Sequence, residues 1–133
     1  ALPGREEART LLMVEFKDYI FLATHLSLTA LDQLASVDII LKEIENAHKP
    51  VFMAGDMNSV PTSATQNAIR KRFEVLTQDD WKTCDDACID FIYGYKDKHT
   101  RYSVTRKTLI EDRVASDHCP VFIDVCYQKA RQD

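Results

Sequence analysis

The sequence predicts an α/β (α+β) domain in which a mixed, mostly antiparallel sheet is flanked by helices. Three observations carry that reading. Short apolar runs of strand length recur, bounded by turn residues. One long stretch between two of them repeats its apolar residues at steps of three and four. A late segment, "RYSVTRKTL", alternates like a half-exposed strand.

Each element follows in order. Residues 10–16 and 19–26, "TLLMVEF" and "YIFLATHL", are joined by Lys17-Asp18 and read as a hairpin. The second run is nearly continuous in apolar residues, as expected of a strand covered on both faces. Residues 30–47 read as a helix with Leu31, Leu34, Val37, Leu41 and Ile44 on its apolar stripe. Thr29 and Asp32 are placed as a capping pair, and Lys49-Pro50 stops the helix. "VFMAGD" is a short buried strand ending at Gly55-Asp56.

A strand, a helix and a strand in succession imply a crossover and a parallel pair. The C-terminal ends of both strands then share one sheet edge, where ligands bind in open α/β sheets. "PTSATQNAIRKRF" gives a shorter helix with Ser63 and Gln66 as its capping box. Residues 75–87 read as a polar loop containing Trp81. "IDFIYGY" is a strand opening around Asp90, and "CPVFIDVCY" is the last strand, with Asp117-His118 just before it. The tail "QKARQD" is expected to fray.

Composition bounds the function. The chain has 133 residues, 45% of them apolar, enough for one small domain with a core. The net charge of −4 and the absence of a basic stripe give no electrostatic argument for nucleic-acid binding. Arg70, Lys71 and Arg72 cluster, but on a short helix this reads as a solvated face. No run is long and apolar enough to span a bilayer. The N-terminal residues begin without Met or a signal pattern and read like the middle of a larger protein. Cys84 and Cys88 are spaced like one half of a zinc clip, but no second clip accompanies them, and Cys119 reads as packing. The cysteines leave the compartment open.

His25, Asp56, Asn58, Asp90, Asp117 and His118 all fall at predicted strand ends on one edge. Singly, each has an ordinary reading: a surface histidine, a strand-ending turn at "GDMN", a turn at "SDH". Together they form the set that phosphate-ester hydrolysis needs. Carboxylate and amide oxygens suit a hard cation, a histidine exchanges protons near neutral pH, and a carboxylate behind it fixes its tautomer.

"ATHLSL", "GDMNSVP", "CIDFIYG" and "ASDHCPVF" resemble, in order and separation, the C-terminal motifs of the endonuclease/exonuclease/phosphatase (deoxyribonuclease-I-like) superfamily. The resemblance spans residues 10 to 126 and implies half of a four-layer α/β/β/α sandwich. It implies a divalent-metal-dependent phosphoesterase that hydrolyses a phosphodiester or phosphomonoester with an activated water, using Mg²⁺ or Mn²⁺, with Ca²⁺ as a third candidate.

By the same resemblance, His118 matches the histidine that activates or positions the water, and Asp90 the carboxylate that hydrogen-bonds it. Asp117 matches a metal-ligand aspartate. Asp56 and Asn58 match the pair that orients the nucleophile and holds a phosphoryl oxygen or the metal. His25 matches the second histidine, on the phosphate. Members of the superfamily are longer, and their N-terminal half carries an Asn and a Glu for the metal.

Residues 1–133 are therefore expected to be the C-terminal part of one such domain, with the N-terminal half absent as a partner and the isolated piece inactive. The alternative from another class is a non-catalytic binding or interaction module acting through an exposed sheet face. Substrate class stays open among nucleic acids, phosphoinositides, sphingomyelin and other phosphoesters.

Overall fold

The structure is a computed structural model and describes residues 1–129. Its strands are β1 (Leu11–Glu15), β2 (Ile20–His25), β3 (Val51–Asp56), β4 (Phe73–Val75), β5 (Asp90–Tyr95), β6 (Thr100–Leu109) and β7 (Val121–Lys129). Its helices are α1 (Ala30–Ile44) and α2 (Ala64–Arg70). The first five strands form one sheet in the order β1-β2-β3-β5-β4. Only β2 and β3 are parallel, joined through α1, and the other pairs are antiparallel.

The sheet is therefore mixed and mostly antiparallel, as the sequence predicts. The predicted elements are present, and β4 is an addition that starts at the last residue of the second predicted helix segment and runs toward the predicted loop. The expected fraying of "QKARQD" does not hold for Gln128 and Lys129, which pair in β7; its last four residues lie outside the described ones.

Strand alternation splits the sheet into two faces. Leu22, Met53 and Tyr93 are register partners on one of them. They are fully buried with Val37, Ile40 and Ile44 of α1 and Ile69 of α2. The other face carries Phe21, Ala23, Phe52, Ala54 and Ile92.

The last strand does not join this sheet. Instead, β6 and β7 form a separate antiparallel ribbon. The ribbon lies against the second face through aromatic contacts. Tyr102 and Tyr127 meet the Phe52 ring edge-on at 5.4 and 5.6 Å. The Tyr102 hydroxyl donates to the Tyr95 carbonyl at 2.7 Å. Glycine is needed at Gly94, where a Cβ would stand 2.6 Å from the Tyr102 ring.

The ribbon answers the expectation of an open apolar face in part. A groove of about 400 Å³ remains between the layers, lined by Phe21, Phe52, Ile92, Val121 and Ile123 among others. Leu12, on the edge strand beside it, is 58% exposed.

The helix caps differ in detail from expectation. Ser63 Oγ accepts from Gln66 N as predicted, but the Gln66 side chain turns inward to Ser59 and Tyr93. The Thr29 hydroxyl caps no backbone group; it donates to Asp32 at 2.7 Å, and Asp32 also pairs with Arg5. The buried stripe of α1 is Gln33, Val37, Ile40 and Ile44, while Leu31 is exposed. The Gln33 amide rotates the stripe: it donates to the carbonyls of Ser27 and Asn58 and accepts from Thr65. Satisfying a buried amide three ways outweighs burying one more leucine.

Of the basic cluster, Arg70 is bidentate to Asp79, and Arg72 donates to the Tyr95 hydroxyl. Those two are structural contacts rather than a free basic face.

Gly55, next to Asp56, has φ +152°, and a Cβ there would lie 1.8 Å from the Thr24 carbonyl oxygen. Replacing it with alanine forces the central parallel pair apart. Gly55→Ala is expected to cost about 3 kcal/mol or more in chemical denaturation; a loss within 0.5 kcal/mol, roughly the scatter of ordinary surface substitutions, would contradict the close packing described.

Candidate active site

Register, rather than proximity in sequence, assembles the site. His25 on β2 is the partner of Asp56 on β3, and Asp56 is the partner of Asp90 on β5. The parallel pair brings two strand ends to one edge, and the antiparallel β5 begins where β3 ends. All three side chains therefore stand in a row on the ribbon side of the sheet. His25 Nε2 lies 3.2 Å from Asp56 Oδ2.

His118 arrives from the other layer. Its Nδ1 is 2.7 Å from Asp90 Oδ2, and its Nε2 is 3.6 Å from Asp56 Oδ2. An ionised carboxylate can only accept, so Nδ1 carries the proton and the neutral ring keeps its lone pair on Nε2. The predicted pairing of His118 with Asp90 is present, but its route differs from expectation. β7 begins at Val121, after Cys119-Pro120, and neither it nor His118 belongs to the sheet of Asp90.

A short bridge links the layers instead. Cys84 and His118 form an isolated antiparallel bridge, and Cys119 N donates to the Thr83 carbonyl at 2.7 Å. Thr83 is fully buried, and its Oγ1 accepts from the backbone N–H of both Ile89 and Asp90. One threonine thus fixes the start of β5 and the approach of His118. Sequence reading placed Thr83 in a featureless polar loop; no periodicity or motif marks it.

Asn58 sits beside the row with φ +46°, a conformation asparagine tolerates better than most residues. Its N–H donates to Asp56 Oδ1 at 2.8 Å, and its Nδ2 donates to the Leu26 carbonyl at 2.8 Å. Asn58 therefore orients Asp56 and ties the loop after β2 to the loop after β3. Asp117 is exposed and accepts from Ser116 Oγ at 3.4 Å. It groups with Cys84 and His118, whereas Asp56 and Asp90 form a separate group with that histidine.

Electrostatics follow from the crowding. The Asp90 hydrogen bond, helped by the charges of Asp90, Asp56 and Asp117, raises the His118 pKa above its ordinary value against the opposing effect of partial burial. Burial, then the neighbouring Asp90, raises that of Asp56, while the Asn58 N–H and the two histidines oppose the rise. Cys84 is raised by burial first, then by Asp85, Asp117, Asp90 and Asp56.

Asp56 and Asp90 side by side, with His118, bring ligand atoms within 4.8 Å of one another. The Asp90 charge helps to raise the Asp56 pKa, and a cation between the two carboxylates would relieve that repulsion. Oxygen donors of this kind fit a hard divalent ion such as Mg²⁺ or Mn²⁺.

The fold has counterparts among solved structures. An endonuclease/exonuclease/phosphatase protein from Beutenbergia cavernae superposes with a TM-score of 0.67 at 21% identity, over 86% of this chain and 38% of that one. The human Nocturnin catalytic domain superposes with a TM-score of 0.64 at 16% identity, over 87% and 51%. A Bacteroides thetaiotaomicron mannosyl-6-phosphatase gives 0.61 at 17% identity, over 81% and 51%. The chain has the fold of half an endonuclease/exonuclease/phosphatase domain. It spans about half the length of the Nocturnin and mannosyl-6-phosphatase structures and less of the Beutenbergia cavernae one. No protein-family model matches the sequence, and no curated protein matches it. Within this half-fold, β6 and β7 form a two-stranded sheet of their own, and His118, just ahead of β7, comes from that layer.

Two measurements test the site's construction. In the metal-free protein, the His118 imidazole is expected to titrate above the ordinary histidine midpoint by NMR. Asp90→Asn should lower that midpoint, because the neutral amide no longer stabilises the imidazolium; an unmoved midpoint would dissociate the pair. Thr83→Val leaves two buried N–H groups without their acceptor and is expected to cost about 2 kcal/mol. It should also broaden or shift the His118 resonances, which a purely local defect would leave alone.

Proposed function

We propose that this chain carries the C-terminal half of the active site of a divalent-metal-dependent phosphoesterase. The observation that carries the reading is the junction of Asp90, His118 and Asp56, with His118 Nδ1 tied to Asp90 and Nε2 turned toward Asp56. The fold shared with a mannosyl-6-phosphatase and with endonuclease/exonuclease/phosphatase proteins supports it. The reading places residues 1–133 in a larger domain whose other half supplies further metal ligands and covers the groove beside the ribbon.

In this reading His118 Nε2 takes a proton from the attacking water, and Asp90 holds the ring and stabilises the imidazolium that forms. Asp56, aimed by the Asn58 N–H, orients that water. His25, at the far end of the row, donates a hydrogen bond to a phosphoryl oxygen. Asp56 and Asp90, grouped with His118, would hold Mg²⁺ or Mn²⁺ with ligands from the other half, while Asp117, the ligand that the resemblance implies, stands with Cys84. Such a cation would supply charge neutralisation at phosphoryl oxygens and a lowered pKa for coordinated water.

The substrate is a phosphate ester; the charge of this chain favours no particular class. The test is hydrolysis of bis-p-nitrophenyl phosphate and p-nitrophenyl phosphate by the longer protein with Mg²⁺. His118→Ala is expected to lower kcat by roughly 10²–10⁴-fold, and chelation should abolish turnover. Equal activity in the variant would remove His118 from the mechanism.

A further inference from the structure

His118 also belongs to a second ligand set of different chemistry. Cys84, Asp117 and His118 bring one sulfur, one carboxylate oxygen and one ring nitrogen within 4.8 Å of one another. The set is built by the backbone, since Cys84 and His118 are partners of the interlayer bridge and the neighbouring Cys119 N–H is held by Thr83. Cys84 is a free thiol of intermediate exposure, and Asp117 is exposed, so the cluster opens to solvent. Cys88 does not complete a clip with it: that thiol is buried and turned to the Gln78 carbonyl.

Hard Mg²⁺ takes oxygen ligands, whereas a sulfur, a nitrogen and an oxygen together suit Zn²⁺. Three protein ligands leave one tetrahedral position for water. We propose that Cys84, Asp117 and His118 form a thiolate-containing site for Zn²⁺ or a similarly soft cation, whose occupancy withdraws His118 from the hydrolytic centre. The regulatory half of this inference rests on the phosphoesterase reading; the binding half does not.

The antagonism holds for either ring nitrogen. Ligation through Nδ1 displaces the Asp90 hydrogen bond. Ligation through Nε2 uses the lone pair that would accept the water's proton. In both cases the Cys84 proton leaves to solvent as the thiolate binds.

The test uses the chain with Cys126→Ser, which removes the exposed thiol, in excess Mg²⁺. Added Co²⁺ is expected to give a thiolate-to-metal charge-transfer absorption that Zn²⁺ displaces. Cys84→Ser should abolish that absorption and weaken Zn²⁺ binding in calorimetry by at least about tenfold. Asp117→Asn, at an exposed position, should keep the absorption but weaken binding. An absorption that survives Cys84→Ser, or Zn²⁺ affinity unchanged by both variants, overturns the site.

Neither readout needs substrate, so a failure of hydrolysis leaves the binding result standing. If instead the longer protein hydrolyses phosphate esters and Cys84→Ser leaves its Zn²⁺ sensitivity unchanged, the phosphoesterase reading stands and this inference falls.

Discussion

The site depends on the register of one strand. β3 is parallel to β2 on one side and antiparallel to β5 on the other. That combination puts the end of two strands and the start of a third at a single edge. A slip of one residue on either side would send His25 or Asp90 to the helix face, into an apolar core. Register is held because the same alternation that exposes the row buries Leu22, Met53 and Tyr93 beneath the helices. Gly55 lets the two parallel strands close to the distance at which His25 and Asp56 touch. Core packing and site geometry are thus two consequences of one pairing.

The second constraint is the join between layers. A histidine on a separate ribbon would be free to drift relative to the sheet. Thr83, Cys84 and Cys119 prevent this through backbone bonds, and Thr83 also grips the start of β5. The aromatic contacts of Tyr102 and Tyr127 with Phe52 seat the rest of the ribbon. His118 is thereby shared between two groups of neighbours. One consists of the carboxylates of Asp56 and Asp90, the other of the Cys84 thiol and the exposed Asp117 carboxylate. The chemistry available to the histidine is therefore divided by the architecture that positions it.

Much of this was legible in the sequence, for identifiable reasons. Strand and helix positions follow from local periodicity, which needs no tertiary information. The common edge of His25, Asp56 and Asn58 follows from the crossover rule. The pairing of His118 with Asp90 was implied by resemblance to a known family, not by spacing. The apolar stripe of α1 was misjudged because Gln33 is drawn inward by partners in three other segments. Thr29 was assigned a cap it does not make, because Asp32 offers its hydroxyl a stronger, charged acceptor.

What the sequence determined by itself is the set of elements apart from β4, their order, and the strand ends that carry acids and histidines. These depend on residues within a few positions of one another. What only the tertiary structure decided is the second layer and everything that crosses to it. The last strand pairs with β6 rather than with the main sheet, Thr83 becomes the hub, and Cys84 turns to His118 instead of Cys88. Those outcomes rest on contacts between segments distant along the chain, such as the 28-residue separation of Asp90 and His118. No repeating pattern in the sequence encodes such contacts, and only packing two layers against each other selects them.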